Sequence, residues 1–144
     1  MNSEVIVSRL RAFLFALTIV MCVGIVAELW LTDHLQAPLQ FVPFVLCGLG
    51  AIAAFVVWFR PSRATIWALR IVMLVSAFGG LLGIYEHVTG NLEFAREVNA
   101  TKANAAPIAT AFTGANPPLA PGALGVTALV AIAATYAHPE LKRA

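Results

Sequence analysis

The sequence predicts an all-α fold, a bundle of four antiparallel transmembrane helices with a cap on its outer end, and three observations carry that reading. Apolar stretches at 12–31, 39–59, 64–85 and 119–137 are nineteen to twenty-two residues long. That matches the roughly 20 residues a helix rising about 1.5 Å per residue needs to cross a hydrocarbon core about 30 Å thick. Composition agrees, with 60% hydrophobic residues, 11% charged and a mean hydropathy of +0.87, against roughly 25% charged residues in soluble domains. Most of the basic residues flank the apolar stretches, which is the charge pattern of membrane topology. The 144 residues therefore read as one integral membrane domain, with 86–118 as the only sizeable segment outside the spans. The net charge of +2 reports orientation and gives no reason to expect a nucleic-acid partner.

The first span follows Arg9 and Arg11, and Ile25-Val26-Ala27 has the small-residue look of a signal-peptide cleavage site. The apolar run exceeds the usual signal-peptide core of about 7 to 15 residues, so a retained span is expected. The connection at 32–38 is short, and the second span opens with Pro43, which should bend its outer end. Arg60 to Arg63 form a second tight connection, so the first three helices must run as antiparallel neighbours. The third connection is longer. Within it, 91–106 is rich in Ala, Glu and Lys and should form a short helix, and Ile108 and Phe112, four residues apart, could lay one apolar face on the bundle or on lipid headgroups. Gly114 and Asn116-Pro117-Pro118 should end this ordered cap, and Pro121-Gly122 open the last span in its first turn.

Six of the nine basic residues share one side if the amino terminus is cytoplasmic: Arg9, Arg11, Arg60, Arg63, Lys142 and Arg143. Arg96 and Lys102 lie opposite, while Arg70 sits inside the third span and should snorkel to the cytoplasmic surface. Both termini are therefore expected in the cytoplasm. Trp30 and Tyr85 mark the outer interface under this orientation, and Trp58, Trp67 and Tyr136 the inner one.

Lipid tails supply no hydrophobic drive for helix pairing, so close approach through small residues must do so. Ser76, Gly80 and Gly83 share a face of the third span, and Ala123, Thr127 and Ala131 share a face of the fourth. These two faces are the expected tight contact. The second span adds Gly48, Gly50 and Ala54. Cys22 and Cys47 lie near mid-span, where thiols act as small apolar residues, although neighbouring helices would allow a disulfide.

Glu28, one turn inside the outer end of the first span, is the most informative intramembrane polar residue. Asp33 and His34 follow it, and Glu86 and His87 end the third span at the same depth. Carboxylates with imidazoles suit a metal, a proton relay or a quinone site, whereas the plainer alternative is that these groups simply meet water and headgroups. His34 with His87 is the only pair suited to axial haem ligation, and the position of His34 in a connection argues against it. No nucleophile, nucleotide loop or zincin spacing accompanies them, so no enzyme is expected. The sequence requires no cofactor and carries no Cys/His metal spacing. Asn99-Ala100-Thr101 matches a glycosylation sequon.

Glu86-His87, Gly90-Asn91-Leu92-Glu93-Phe94, Leu119-Ala120-Pro121-Gly122 and Tyr136-Ala137-His138-Pro139 together resemble uncharacterised small four-helix proteins of the bacterial inner membrane. The resemblance covers the second half of the chain and implies a bacterial four-helix protein without implying an activity. Three functions remain open. The first is a non-catalytic structural or accessory subunit that meets lipids and packs against other integral membrane subunits or copies of itself. The second is a module binding a small ligand, metal, quinone or proton through the outer Glu/His cluster, and the third is a small channel.

Overall fold

The computed structural model describes residues 2–98 and 108–142. It contains five α-helices, α1 (Ser3–Leu31), α2 (Val42–Phe59), α3 (Arg63–Val98), α4 (Ile108–Thr113) and α5 (Gly122–Ala134), with 3-10 turns at Pro38–Phe41 and Pro139–Leu141 and no strand among the described residues. The main contacts run in a ring from α1 to α2, α3, α5 and back to α1, with α4 lying on α3.

Each helix starts and stops for a local reason. The Asn2 carboxamide accepts the Glu4 N–H at the start of α1. At its other end Asp33 takes a positive φ of 52°, His34 N–H reaches Leu29 O at 2.9 Å and Asp33 N–H reaches Trp30 O at 3.2 Å. This is a Schellman closure, which satisfies carbonyls that the last turn would otherwise orphan. Ser62 caps α3 reciprocally with Thr65: Thr65 N–H donates to Ser62 Oγ at 3.1 Å and Ser62 N–H to Thr65 Oγ1 at 2.9 Å.

The core is one buried stripe per helix. Phe15, Thr18 and Cys22 form it on α1, Cys47, Gly50, Ala54 and Val57 on α2, Ile66, Leu69, Met73, Ser76 and Gly80 on α3, and Leu124, Thr127, Ala128, Ala131 and Ala134 on α5. Steps of three and four dominate, the spacing of helices that cross at a shallow angle. The buried hydroxyls bond back within their own helices, Thr18 to Leu14 O at 2.8 Å, Ser76 to Val72 O at 2.9 Å and Thr127 to Ala123 O at 2.7 Å. They thus occupy a dry seam without leaving a polar atom unpaired.

Several sequence expectations need correction. The third helix does not stop at residue 85. It continues to Val98, 36 residues in all, because 86–98 contains no proline and Asn91 is satisfied from outside the helix. The first part of the expected 91–106 helix is therefore the tail of α3, and its remainder, with the Asn99 sequon, lies outside the described residues. Pro43 falls in the first turn of α2, directly after the 3-10 turn at Pro38–Phe41, where its missing N–H costs no helical bond. In the cap, Ala111 is buried, while Phe112 is exposed and so does not pack on the bundle.

Among the described residues, only α1, the Pro38–Phe59 unit and α3 are long and apolar enough to cross a membrane. The helix in the fourth apolar stretch, 119–137, has only 13 residues, or about 20 Å of rise. Pro121, which lacks an N–H, caps its start, and beyond its end Ala137 has a φ of 46°.

The small-residue faces of α3 and α5 lie in the contact between these two helices, the most extensive among the described elements. Ser76, Gly80, Thr127 and Ala131 are buried, and Gly83 and Ala123 are partly so. A Cβ added to Gly80 would stand 2.8 Å from Pro121 O and 3.3 Å from Leu124 Cβ, and one on Gly83 2.7 Å from Pro121 Cβ. Because the obstacle at Gly80 is backbone, Gly80→Ala should lower stability by about 1–3 kcal/mol in denaturant titration of detergent-solubilised protein. Gly24→Ala, with nothing within 4 Å, should change it by less than about 0.5 kcal/mol.

Candidate functional site: a cleft at the outer end

Four of the five outer polar candidates converge. Glu28 and His34 from the end of α1 and its following loop, and Glu86 and His87 from α3, line a cleft of about 650 Å³. Leu29, Leu46, Leu82 and Leu124 give it apolar walls, and Pro117 and Pro121 border it from the cap and the start of α5. The Schellman closure at Asp33 is what turns His34 back toward α3. His34 and His87 stand 6.3 Å apart between ring centroids, tilted by 55°.

Asp33 does not join them. It is exposed, and its carboxylate instead accepts from Gln36 Nε2 at 2.6 Å. Gln40 completes the loop by accepting the N–H groups of Gln36 and Ala37 at 2.6 and 3.0 Å. The loop is thus shaped by its own side chains, with Asp33 as a turn residue.

His87 Nδ1 lies 2.9 Å from Pro117 O. A carbonyl can only accept, so Nδ1 carries a proton, and Nε2 is the nitrogen left free to face the cleft. With the carboxylates of Glu28 and Glu86, the cleft is therefore rich in acceptors. Its hydroxyl-bearing residue, Thr32, is spoken for, since Thr32 Oγ1 donates to Glu28 O at 2.9 Å. Among the described residues, no group of three or more His, Cys, Asp or Glu side chains is arranged to hold a metal ion.

Asn91 holds the cap over this end, a role the sequence reading missed. It is 2% exposed, its amide donates to Ala111 O at 3.0 Å and Asn116 O at 2.8 Å, and its carbonyl accepts Asn116 N–H at 2.9 Å. Gly114 passes so close to the Asn91 carboxamide that a Cβ there would collide with it. The available signal was an Asn one helical turn beyond His87 with a Gly/Asn-rich return strand, which indicates a side-chain clamp when both are known to touch.

The inner end is also organised by residues read at first only as topology markers. Arg70 is tied to the end of α5: its Nε donates to Thr135 Oγ1 at 3.0 Å and its Nη2 to Thr135 O at 3.0 Å, with the guanidinium 5.2 Å above the Trp67 ring. Arg11 Nη2 donates to Ala137 O at 3.1 Å and Tyr136 O at 3.3 Å. Two cations from α1 and α3 thus meet the carbonyl end of α5, where the helix dipole favours positive charge. Beside them a groove of about 750 Å³ is lined by Glu4, Arg11, Trp58, His138 and Glu140 among others.

The length and composition of α1, the Pro38–Phe59 unit and α3 fit an integral membrane protein. The chain matches no family model, and comparison with curated proteins and with solved structures found no match.

Burial, reinforced by the charge of Arg11 and partly offset by Glu140, pushes the His138 imidazole below its ordinary value, about 6.5. Its Nδ1 also accepts the Glu140 N–H at 3.3 Å, which requires the neutral ring. Below pH ~6.5 the unfolded chain binds a proton that the folded chain resists, so stability should fall as pH drops through that value. His138→Asn keeps a capping acceptor and removes the titration. The difference in unfolding midpoint between wild type and variant should grow from pH 7.5 to pH 5.

Proposed function

We propose that the chain is a non-catalytic integral protein of a bacterial inner membrane that works by binding a small amphiphile in its outer cleft. In this reading α5 completes a fourth crossing with help from its flanking turns, and both termini lie in the cytoplasm. The observation that carries the reading is the cleft itself, in which Glu28, Glu86 and His87 offer acceptors above leucine walls. Such a lining suits a molecule whose head bears N–H or O–H donors, best of all a cationic amine, and whose tail is apolar.

A second reading, an accessory subunit packed against other membrane subunits or copies of itself, is supported by the apolar outer surface. Phe13, Val20 and Val23 on α1 and Ile71, Phe78 and Leu81 on α3 are all more than half exposed. Lipid satisfies such a surface equally well, so the cleft is the more specific feature.

Two measurements test the proposal. Dodecylamine should bind the detergent-solubilised protein saturably, and Glu28→Gln with Glu86→Gln should weaken it at least about tenfold, since charged hydrogen bonds contribute about 1.5–3 kcal/mol each. Unchanged affinity would remove the cleft from consideration. For the crossings, a reporter fused after residue 142 should be active only in the cytoplasm. An external reporter would mean that α5 does not cross as proposed.

A further inference from the structure

Beneath the cleft the three long helices bring together the thiols of Cys22 and Cys47 and the thioether of Met73. The cysteines are free, buried to 2% and 1% exposure, and interact side chain to side chain across the α1–α2 contact. Met73, 1% exposed, arrives from α3. Gly50, one helical turn after Cys47, leaves the notch in which they meet. The position a Cβ would take there is 3.4 Å from Cys22 Sγ, 2.7 Å from Met73 Cε and 3.8 Å from Met73 Sδ.

We propose that these three sulfurs form a binding site for a soft monovalent d10 cation, Cu(I), with Ag(I) as its analogue. Ligand type and number make the choice. Thiolate with thioether selects soft ions, whereas structural zinc takes four ligands and iron–sulfur clusters take four cysteines as a rule. Charge points the same way. One Cu(I) displacing one thiol proton gives an uncharged unit of thiolate, thiol and thioether around the metal, which a dry bundle tolerates far better than a net charge. The outer cleft lies next to the site, since Leu46, the residue before Cys47, and Gly79, six residues beyond Met73, both line it. Met73 thus lies about 9 Å along α3 from Gly79.

The test uses the full chain in detergent under argon, with a phosphine reductant and Cu(I) supplied as its acetonitrile complex against a chromophoric chelator. One equivalent per chain should bind, and X-ray absorption of the wild-type complex should show a shell of sulfur alone. Cys22→Ser with Cys47→Ser should abolish binding. Met73→Leu, which keeps the volume and apolar character of the core, should lower affinity at least tenfold, and His34→Gln with His87→Gln should leave the sulfur shell intact. Absence of stoichiometric binding by wild type, a nitrogen-dominated shell, or retention of the site in the double serine variant would each overturn the proposal. The spectroscopic result on wild type holds even if a variant fails to fold.

Discussion

The approach of α5 to α3 at Gly80 is the constraint on which the rest of the structure depends. With no side chain at Gly80, Pro121 O and the Leu124 side chain can press against the α3 backbone, and this contact sets the height at which α5 begins. From there, 13 residues of helix bring Thr135 level with Arg70 and the following carbonyls level with Arg11. The same approach places Pro121 and Leu124 in the cleft wall. Packing at the outer end and charge at the inner end thus hold one short helix between two long ones.

The treatment of polar atoms is economical. Seam hydroxyls bond within their own helices, Asn91 bonds the cap, and the arginines bond carbonyls beyond the end of α5. Among the described residues no buried side-chain nitrogen or oxygen lacks a partner, as an apolar solvent demands. The acceptors lining the outer cleft stand apart from this pattern, since Glu28 and Glu86 are exposed from the protein surface. Groups placed where they need not be satisfied internally are available for something else.

The presence of three long apolar helices was legible in the sequence because length and hydropathy are local properties. The outer grouping of Glu28, His34, Glu86 and His87 was also legible, since depth along a helix follows from counting residues. Asp33 escaped this logic, because its role depends on a left-handed backbone that closes α1. The length of α3 was misread because the apolar run ends at Tyr85 while the helix does not, its polar continuation being held through the partners of Asn91 at 111 and 116. Which stripe of each helix faces inward was not legible for most positions, because the lipid-facing side is equally apolar. The sulfur cluster shows the limit most plainly, as Cys22, Cys47 and Met73 share no spacing and meet only through the ring of helices.

The unequal lengths of the helices bear on the surrounding lipid. The apolar run of α1, 12–31, offers about 30 Å of helix, while the 13 residues of α5 offer about 20 Å. If α5 crosses as proposed, a bilayer touching both would thin beside it wherever the flanking turns do not make up the difference, at a cost of fractions of a kcal/mol per Å of mismatch. Short or disordered acyl chains meet that demand more easily than long, ordered ones. The protein would therefore gather a lopsided annulus of lipid, and any neighbour whose own hydrophobic belt is shallow would find the bilayer already compressed on that side.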